Sequence, residues 1–447
     1  MPEHRDRLFR DSLFRLVRRG AWARVSRLLE RAHPADVAEL LDRLTETDRS
    51  AVFHRIPSDE ARAEVLALLE FAEGAHLVGA LEAEAAARLV SRMAPDAAAA
   101  LLREIPRERS DEILEALGDG AEEIESLLGY RDETAGAIMT TEYVALPEAM
   151  TVRGAIDHLQ ARGATEASFY VYVIDERGSL VGVLSLRQLI VQSPDKQLRD
   201  FMVPDPIRVS TDTDQEVVAR QVARYDLLAI PVVDLHNVLV GVVTVDDVID
   251  VLREEATEDI LKMAGTTVEE VSSPHPLRSA WIRSPWLVAA FVGELVGIFL
   301  LGRFQGVLSQ TVQLAFFMPI VLAMGGNVGS QCAMLMVRGL ATGRLEPGSL
   351  GPVIARQLAT SVILASGFGA VLAALAAGLG YGPRVLPLVV GAGISASILM
   401  AAAIGTLLPP LLARLGADPA VASGPFVTTS IDIVGIGVFF SVAHVLL

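Results

Sequence analysis

The chain has 447 residues, with 38 basic and 55 acidic side chains for a net charge of −17, and its length suits about three units of roughly 150 residues. Only seven arginines and four carboxylates fall after residue 280, so 31 basic and 51 acidic residues lie ahead of it and the front half carries the acidity. That balance argues against a nucleic-acid partner, which needs a basic face, and the single cysteine, Cys332, excludes intrachain disulfides and cysteine-rich zinc sites.

The Arg- and Asp-rich segment Met1 to Gly20 lacks the apolar stretch of a signal peptide. Residues 1–130 read as an all-α domain, with Leu28, Leu29, Val37, Leu40, Leu41 and Leu44 at helical spacing. "HPADVAELLDRL" (33–44) resembles "APDAAAALLREI" (94–105), and "RIPSDEARAEVLALL" (55–69) resembles "EIPRERSDEILEAL" (104–117). A stacked helical-repeat bundle is expected.

From about residue 139 the pattern becomes α/β. Short β-branched runs lie at 169–175 and 180–185 and again at 229–234 and 239–244, each pair followed by a helical stretch, and the two halves repeat about 60 residues apart: Met139 matches Met202, and Gly182 matches Gly241. This tandem duplication resembles a pair of cystathionine-β-synthase-type (CBS) modules, over 131–200 and 201–252. Such pairs often hold adenosyl ligands, and Thr244 with Asp247 has the usual ribose-binding spacing. Ser185 with Gln188 lacks the acid, and capping of a helix by Ser185 and by Thr244 explains the same residues equally well.

Residues 244–260 hold seven carboxylates and one basic residue, Arg253. Asp247, Asp250, Glu254 and Glu258 share one helical face, flanked by Glu255 and Asp259. Like charges at this spacing oppose a helix unless something compensates them. The bland reading is a solvated face; the sharper one is a divalent-cation sensor.

Beyond residue 280 five uncharged or nearly uncharged runs follow, each long enough to cross a bilayer. The expected spans are 284–303, 311–338, 352–380, 385–412 and 419–446. Arg278, Arg283, Arg338, Arg344, Arg356 and Arg414 against Arg303 and Arg384 predict a cytoplasmic N-terminus and an outside C-terminus. Asp432 lies mid-span in the fifth helix near Thr428, Thr429 and Ser430. In the second span Pro319, Gly325 and Gly326 are expected to loosen the backbone and free carbonyls, beside the amides of Asn327 and Gln331. An oxygen-rich lining of this kind suits a hydrated hard cation. Glu294 is the other mid-span acid, with a polar seam or a protonated state as its alternatives.

The order of parts, with "GGNVGSQ" (325–331), "TDTDQE" (211–216), "TVDDVIDVL" and "EATEDI" (244–260) and "ADPA", "SGP" and "TTSID" (417–432), resembles the MgtE family of magnesium transporters over nearly the whole chain. The resemblance implies a homodimer in the cell (inner) membrane that passes Mg²⁺ and is closed by cytosolic Mg²⁺. It further implies a pore lined by Asp432, Gly325, Gly326, Asn327 and Thr428, and regulatory metal positions at Asp214, Glu216, Asp226, Asp247, Asp250, Glu255, Glu258, Asp259 and Asp418. Residues 253–280 would be a connecting and plug helix, the plug running from Ile260 to about Ser279. An ATP site would use Tyr170, Arg187, Thr244 and Asp247, though Gln188 and Leu227 depart from the acid and the aromatic of an adenine site. Gly424 stands where an Asn is usual, and Glu64 and Asp96 are the candidate N-domain metal residues. No nucleophile–base or hydrolase constellation points to an enzyme. Two rivals remain at this level: a proton-coupled divalent-cation transporter using Glu294 and Asp432, and a non-conducting membrane-anchored nucleotide sensor.

Overall fold

The computed structural model describes residues 12–162, 169–271, 275–345, 350–380 and 382–447. The chain divides into two compact units, Met1–Leu252 and Arg253–Leu447. The connector helix Val245–Ala264 begins in the first and ends in the second.

The first unit opens with short helices between residues 12 and 128, and the matched segments all fall on helices. Pro34–Asp42 and Pro95–Arg103 both start on a proline that needs no amide partner there. Asp59–Leu68 and Arg107–Leu117 carry the second matched pair of segments, but Glu46–Phe53 stands between Pro34–Asp42 and Asp59–Leu68, whereas Arg107–Leu117 follows Pro95–Arg103 directly. Thr45 and Ser58 cap their helices by accepting from the Asp48 and Ala61 amides. The apolar faces close over Leu41, Phe53, Leu66, Leu101 and Ile113, all fully buried. Arg103 ties the helical part to the start of the α/β part, donating to the Leu127 and Ala137 carbonyls at 2.6 and 3.0 Å.

The duplicated α/β part forms two sheets. In one, Val144–Pro147 pairs parallel with Tyr170–Ile174, which pairs antiparallel with Leu180–Ser185. In the other, Val209–Ser210, Ala229–Val233 and Leu239–Thr244 repeat that arrangement. The hairpins match in detail. Asp175 accepts from the Arg177 and Ser179 amides, and Asp234 from the His236 and Val238 amides, all at 2.8 Å. Gly178 (φ +79°) and Asn237 (φ 63°) supply the left-handed residue of each turn.

The methionine and glycine matches have a physical cause. Met139 packs on Gly241 of the second sheet, and Met202 on Gly182 of the first. The segment leading into each module therefore completes the other: Thr140 bonds Val242 in both directions at 2.8 and 2.9 Å, and Val203 pairs with Val183. A Cβ at either glycine would displace the methionine.

In the second unit five helices are long and apolar enough to span a membrane: Pro276–Arg303, Leu314–Ala341, Gly351–Leu379, Leu386–Arg414 and Pro425–Leu446. The fourth span is the most buried and packs on the second, third and fifth. Small residues set these approaches. Gly405 lies against the Gly329 backbone, and Gly369 against Gly391 and Ser395. The Ser395 hydroxyl donates to Ala365 O and Gly391 O at 2.8 and 2.9 Å.

Two local expectations differ from the structure. The second span is an unbroken helix through Pro319 and Gly325-Gly326; Gly325 packs near Ile431 and Ala401, while Gly326 faces open space. The stretch expected to be one plug helix is divided. The connector ends at Ala264, where Gly265 takes φ +74°, a short helix comes next at Val268–Val271, and the first span starts on Pro276.

Candidate ion sites and family membership

Among the described residues no three His, Cys, Asp or Glu side chains converge as a metal cage. Carboxylates instead meet in small groups at three places.

The first lies within the unit 1–252. Asp96 sits in the first turn of Pro95–Arg103, hydrogen-bonded to Thr140, and it faces Asp247 near the start of the connector helix. Thr244 Oγ1 donates to Asp247 Oδ2 at 2.5 Å. Burial, then the charge of Asp96, pushes the Asp247 carboxyl up to about 7, and burial also raises that of Asp96. Asp96 Oδ1 is buried without a hydrogen-bond partner among the described residues. Two facing acids with an orphaned oxygen leave an electrostatic debt that a hard cation would discharge.

The second place lies where the connector meets the start of the fifth span. Lys262 Nζ bridges Glu258 at 2.7 Å and Asp418 at 2.8 Å. Burial works against the Lys262 charge, but its bonds to Asp418 and Glu258 prevail and raise its pKa. Asp259 is raised by burial and by the neighbouring Asp418. Asp418 also accepts from the Ala420 amide at 2.8 Å, capping the 3₁₀ turn Pro419–Ser423. Backbone closeness reinforces the junction. A Cβ at Gly424 would stand 3.2 Å from the Lys262 and Met263 carbonyls, and one at Gly265 would stand 2.9 Å from Pro425 Cγ. Gly424 is thus the residue that lets the connector end rest on the fifth span.

The third place is mid-membrane. Asp432 is half-buried on the fifth span, and Glu294 of the first span lies within side-chain hydrogen-bond reach of it. Thr428, Thr429 and Ser430 donate to carbonyls four residues back at 3.4, 2.7 and 2.8 Å, which leaves their lone pairs to accept. Asn327 is exposed and Gly326 faces open space, whereas Gly325 packs near Ile431 and Ala401. Of the expected lining residues, Gly325 is therefore a packing position.

The other expected residues are spread out. Asp214 caps the helix Gln215–Tyr225 by accepting from the Glu216 amide at 2.9 Å, and Glu216 pairs with Arg220 at 3.4 Å. Asp226 ends that helix in a left-handed conformation, so it stands a full helix length from Asp214. Asp250 is exposed and Glu255 half-buried on the connector, and Glu64 is exposed on Asp59–Leu68. Of the expected nucleotide residues, Tyr170 packs against Tyr172, Arg187 is exposed, and Thr244 and Asp247 bond one another. Ser185 and Gln188 form a capping box. Sequence reasoning missed Lys262, although its spacing of four from Glu258 is the signal for such a pair.

Comparison with known proteins supplies the family. A divalent cation transporter family described as MgtE matches residues 318–442, an MgtE intracellular N domain matches 32–133, and CBS domains match 135–194 and 198–254. The chain is 39% identical over 331 residues to the magnesium transporter MgtE of Thermus thermophilus, covering 73% of this chain and 72% of that one. It is 36% identical over 321 residues to the magnesium transporter MgtE of Bacillus subtilis, covering 72% of this chain and 71% of that one. It is similar to a crystal structure of the cytosolic domain of the Mg²⁺ channel MgtE in complex with ATP, at 38% identity and a TM-score of 0.50, covering 54% of this chain and 99% of that one. With a helical N-terminal domain, a CBS pair and five membrane-capable helices, this multi-pass membrane protein belongs to the MgtE family of magnesium transporters.

Proposed function

We propose that the protein is a homodimeric, channel-like importer that lets Mg²⁺ run down its electrochemical gradient and is closed by cytosolic Mg²⁺. The observation that carries this reading is the grouping of carboxylates at three places, Asp96 with Asp247, Glu258 and Asp259 with Asp418, and Asp432. Mg²⁺ keeps several of its waters and takes one or two carboxylates rather than a full protein cage. Paired acids beside polar side chains suit that habit.

The connector links sensor to pore. Asp247 lies near its start, and Glu258 lies eleven residues on, about 16 Å along the axis. A cation between Asp96 and Asp247 relieves their repulsion and holds the start of the helix. A cation shared by Glu258 or Asp259 with Asp418 holds its end against the fifth span, which carries Asp432. Asp214, Glu216, Asp226, Asp250 and Glu255 are further acidic positions for the same sensing. Loss of these ions lets like charges drive the parts asunder, so the open form prevails at low Mg²⁺. With the arginine-rich loops inside, the N-terminus is cytoplasmic and Leu447 lies outside. No fuel is needed, because a divalent ion gains about 4.6 kcal/mol per 100 mV of membrane potential.

The related cytosolic domain solved with ATP favours a nucleotide as a second ligand of the CBS pair. Asp247 would then serve either the ribose or the cation, so the two ligands compete for it.

Reconstitution tests the main reading. Mg²⁺ entry into liposomes at low internal Mg²⁺, shut off at millimolar internal Mg²⁺ and lost in Asp432→Ala, is the expected result. Entry that vanishes without a pH gradient would favour proton coupling. Nucleotide binding by a folded protein that passes no ion would favour a sensor.

A further inference from the structure

The proposed pore uses Asp432, yet a second carboxylate stands beside it that neither the fold nor the helix packing requires. The first span crosses the fifth closely, and the approach is made by small residues. Gly293 lies against Thr429, Gly297 lies against Ile436, and Leu300 lies against Gly437. Between these contacts, on the first span, stands Glu294, and between Thr429 and Ile436, on the fifth, stands Asp432. Their carboxyls are within hydrogen-bond reach. Any apolar side chain at 294 would suit a lipid-facing helix better, since an ionisable group at this depth costs a few kcal/mol. Glu294 is nevertheless the exposed member of the pair, and Asp432 is half-buried behind it.

We propose that Glu294 is a specificity-determining residue of the ion path, a second carboxylate that the first span brings beside Asp432 to hold a hydrated divalent cation in preference to a monovalent one. The inference rests on the reading of Asp432 as the carboxylate that meets the ion. Two acids this close repel each other. A doubly charged cation balances both, whereas a monovalent ion leaves half of the repulsion standing. Mg²⁺ keeps its waters, and two adjacent carboxylates offer acceptors for the hydrogens of those waters without stripping the ion. The glycines at 293 and 297 are what allow the two helices to come close enough for both carboxylates to serve one ion.

The test uses full-length protein in liposomes and measures Mg²⁺ uptake against external Mg²⁺, with Na⁺ entry in Mg²⁺-free buffer as a second readout. Glu294→Gln keeps the side-chain volume and removes the charge. It is expected to raise the external Mg²⁺ for half-maximal uptake by about tenfold, the worth of one charge-assisted contact, and to increase Na⁺ entry relative to Mg²⁺ entry. Glu294→Asp, which keeps the charge, is expected to restore most of both properties, as a merely structural residue would not. Half-saturation and Na⁺ entry unchanged in Glu294→Gln, with uptake lost in Asp432→Ala, would overturn the proposal and leave the reading of Asp432 standing. So would a fall in maximal uptake alone. Undiminished uptake by Asp432→Ala would remove that reading and this proposal with it.

Discussion

At Asp247 protonation competes with the ion binding proposed above. Its carboxyl titrates near 3.8 in an unfolded chain and is pushed up to about 7 by burial and by Asp96. Between those values the folded protein keeps a proton that the unfolded chain has released, so stability falls as pH rises through that window. The full shift corresponds to roughly 4 kcal/mol at most. A cation needs the deprotonated acids, so its stabilising effect grows with pH. The rise in melting temperature on adding Mg²⁺ is therefore expected to be larger at pH 8 than at pH 5.5. Asp247→Asn should melt higher than wild type at pH 8 without Mg²⁺ and gain less from Mg²⁺. An equal gain at both pH values would contradict this account of the pair. The sequence made Asp247 legible as an acid on a charged face, and Asp96 as a candidate metal residue of the N-terminal domain. The approach of helix 95–103, which brings Asp96 to Asp247, was not legible, because that contact joins residues some 150 positions apart. Lys262 was legible only as far as Glu258, four residues before it; its second partner, Asp418, lies 156 positions away.

At the level of elements, glycines decide which helices can meet. A methyl group at Gly405 would press on the Gly329 backbone, while one at Gly326 would meet open space. Gly405→Ala is accordingly expected to destabilise the membrane unit by about 1–3 kcal/mol, and Gly326→Ala by less than a third of that. Thermal melting of the two variants in detergent checks the contrast. The connector's end is the other decisive element. Replacing Lys262 with Met removes the ammonium from between Glu258 and Asp418 and leaves neighbouring acids uncompensated. That variant should admit more Mg²⁺ than wild type at low internal Mg²⁺ and depend more steeply on internal Mg²⁺. Equal Mg²⁺ entry at low internal Mg²⁺ would show that the bridge does not hold the junction. Periodicity announced the spans well, because runs of apolar residues of that length have few other uses. It misjudged Gly325-Gly326 as a break: the helix runs through both, with Gly325 packed near Ile431 and Ala401 and Gly326 facing open space. It likewise ran the plug as a single helix past Gly265, whose left-handed backbone ends the connector.

The chain joins an acidic front half to an apolar back half through one helix that begins in the first unit and ends in the second. The order of parts and the CBS duplication were readable because each part has its own periodicity. The exchange between the modules, with Met139 on Gly241 and Met202 on Gly182, was readable only as a match of letters. If several weak cation sites act together on one helix, closure must be cooperative. The most direct measurement of that claim is Mg²⁺ flux in liposomes as internal Mg²⁺ is raised from micromolar to millimolar levels, for wild type, Asp247→Asn and Asp418→Asn. A steep closing curve with a Hill slope well above one, moved to higher Mg²⁺ by each substitution, is predicted. A slope near one, or curves that coincide for all three proteins, would contradict a sensor built from these carboxylates.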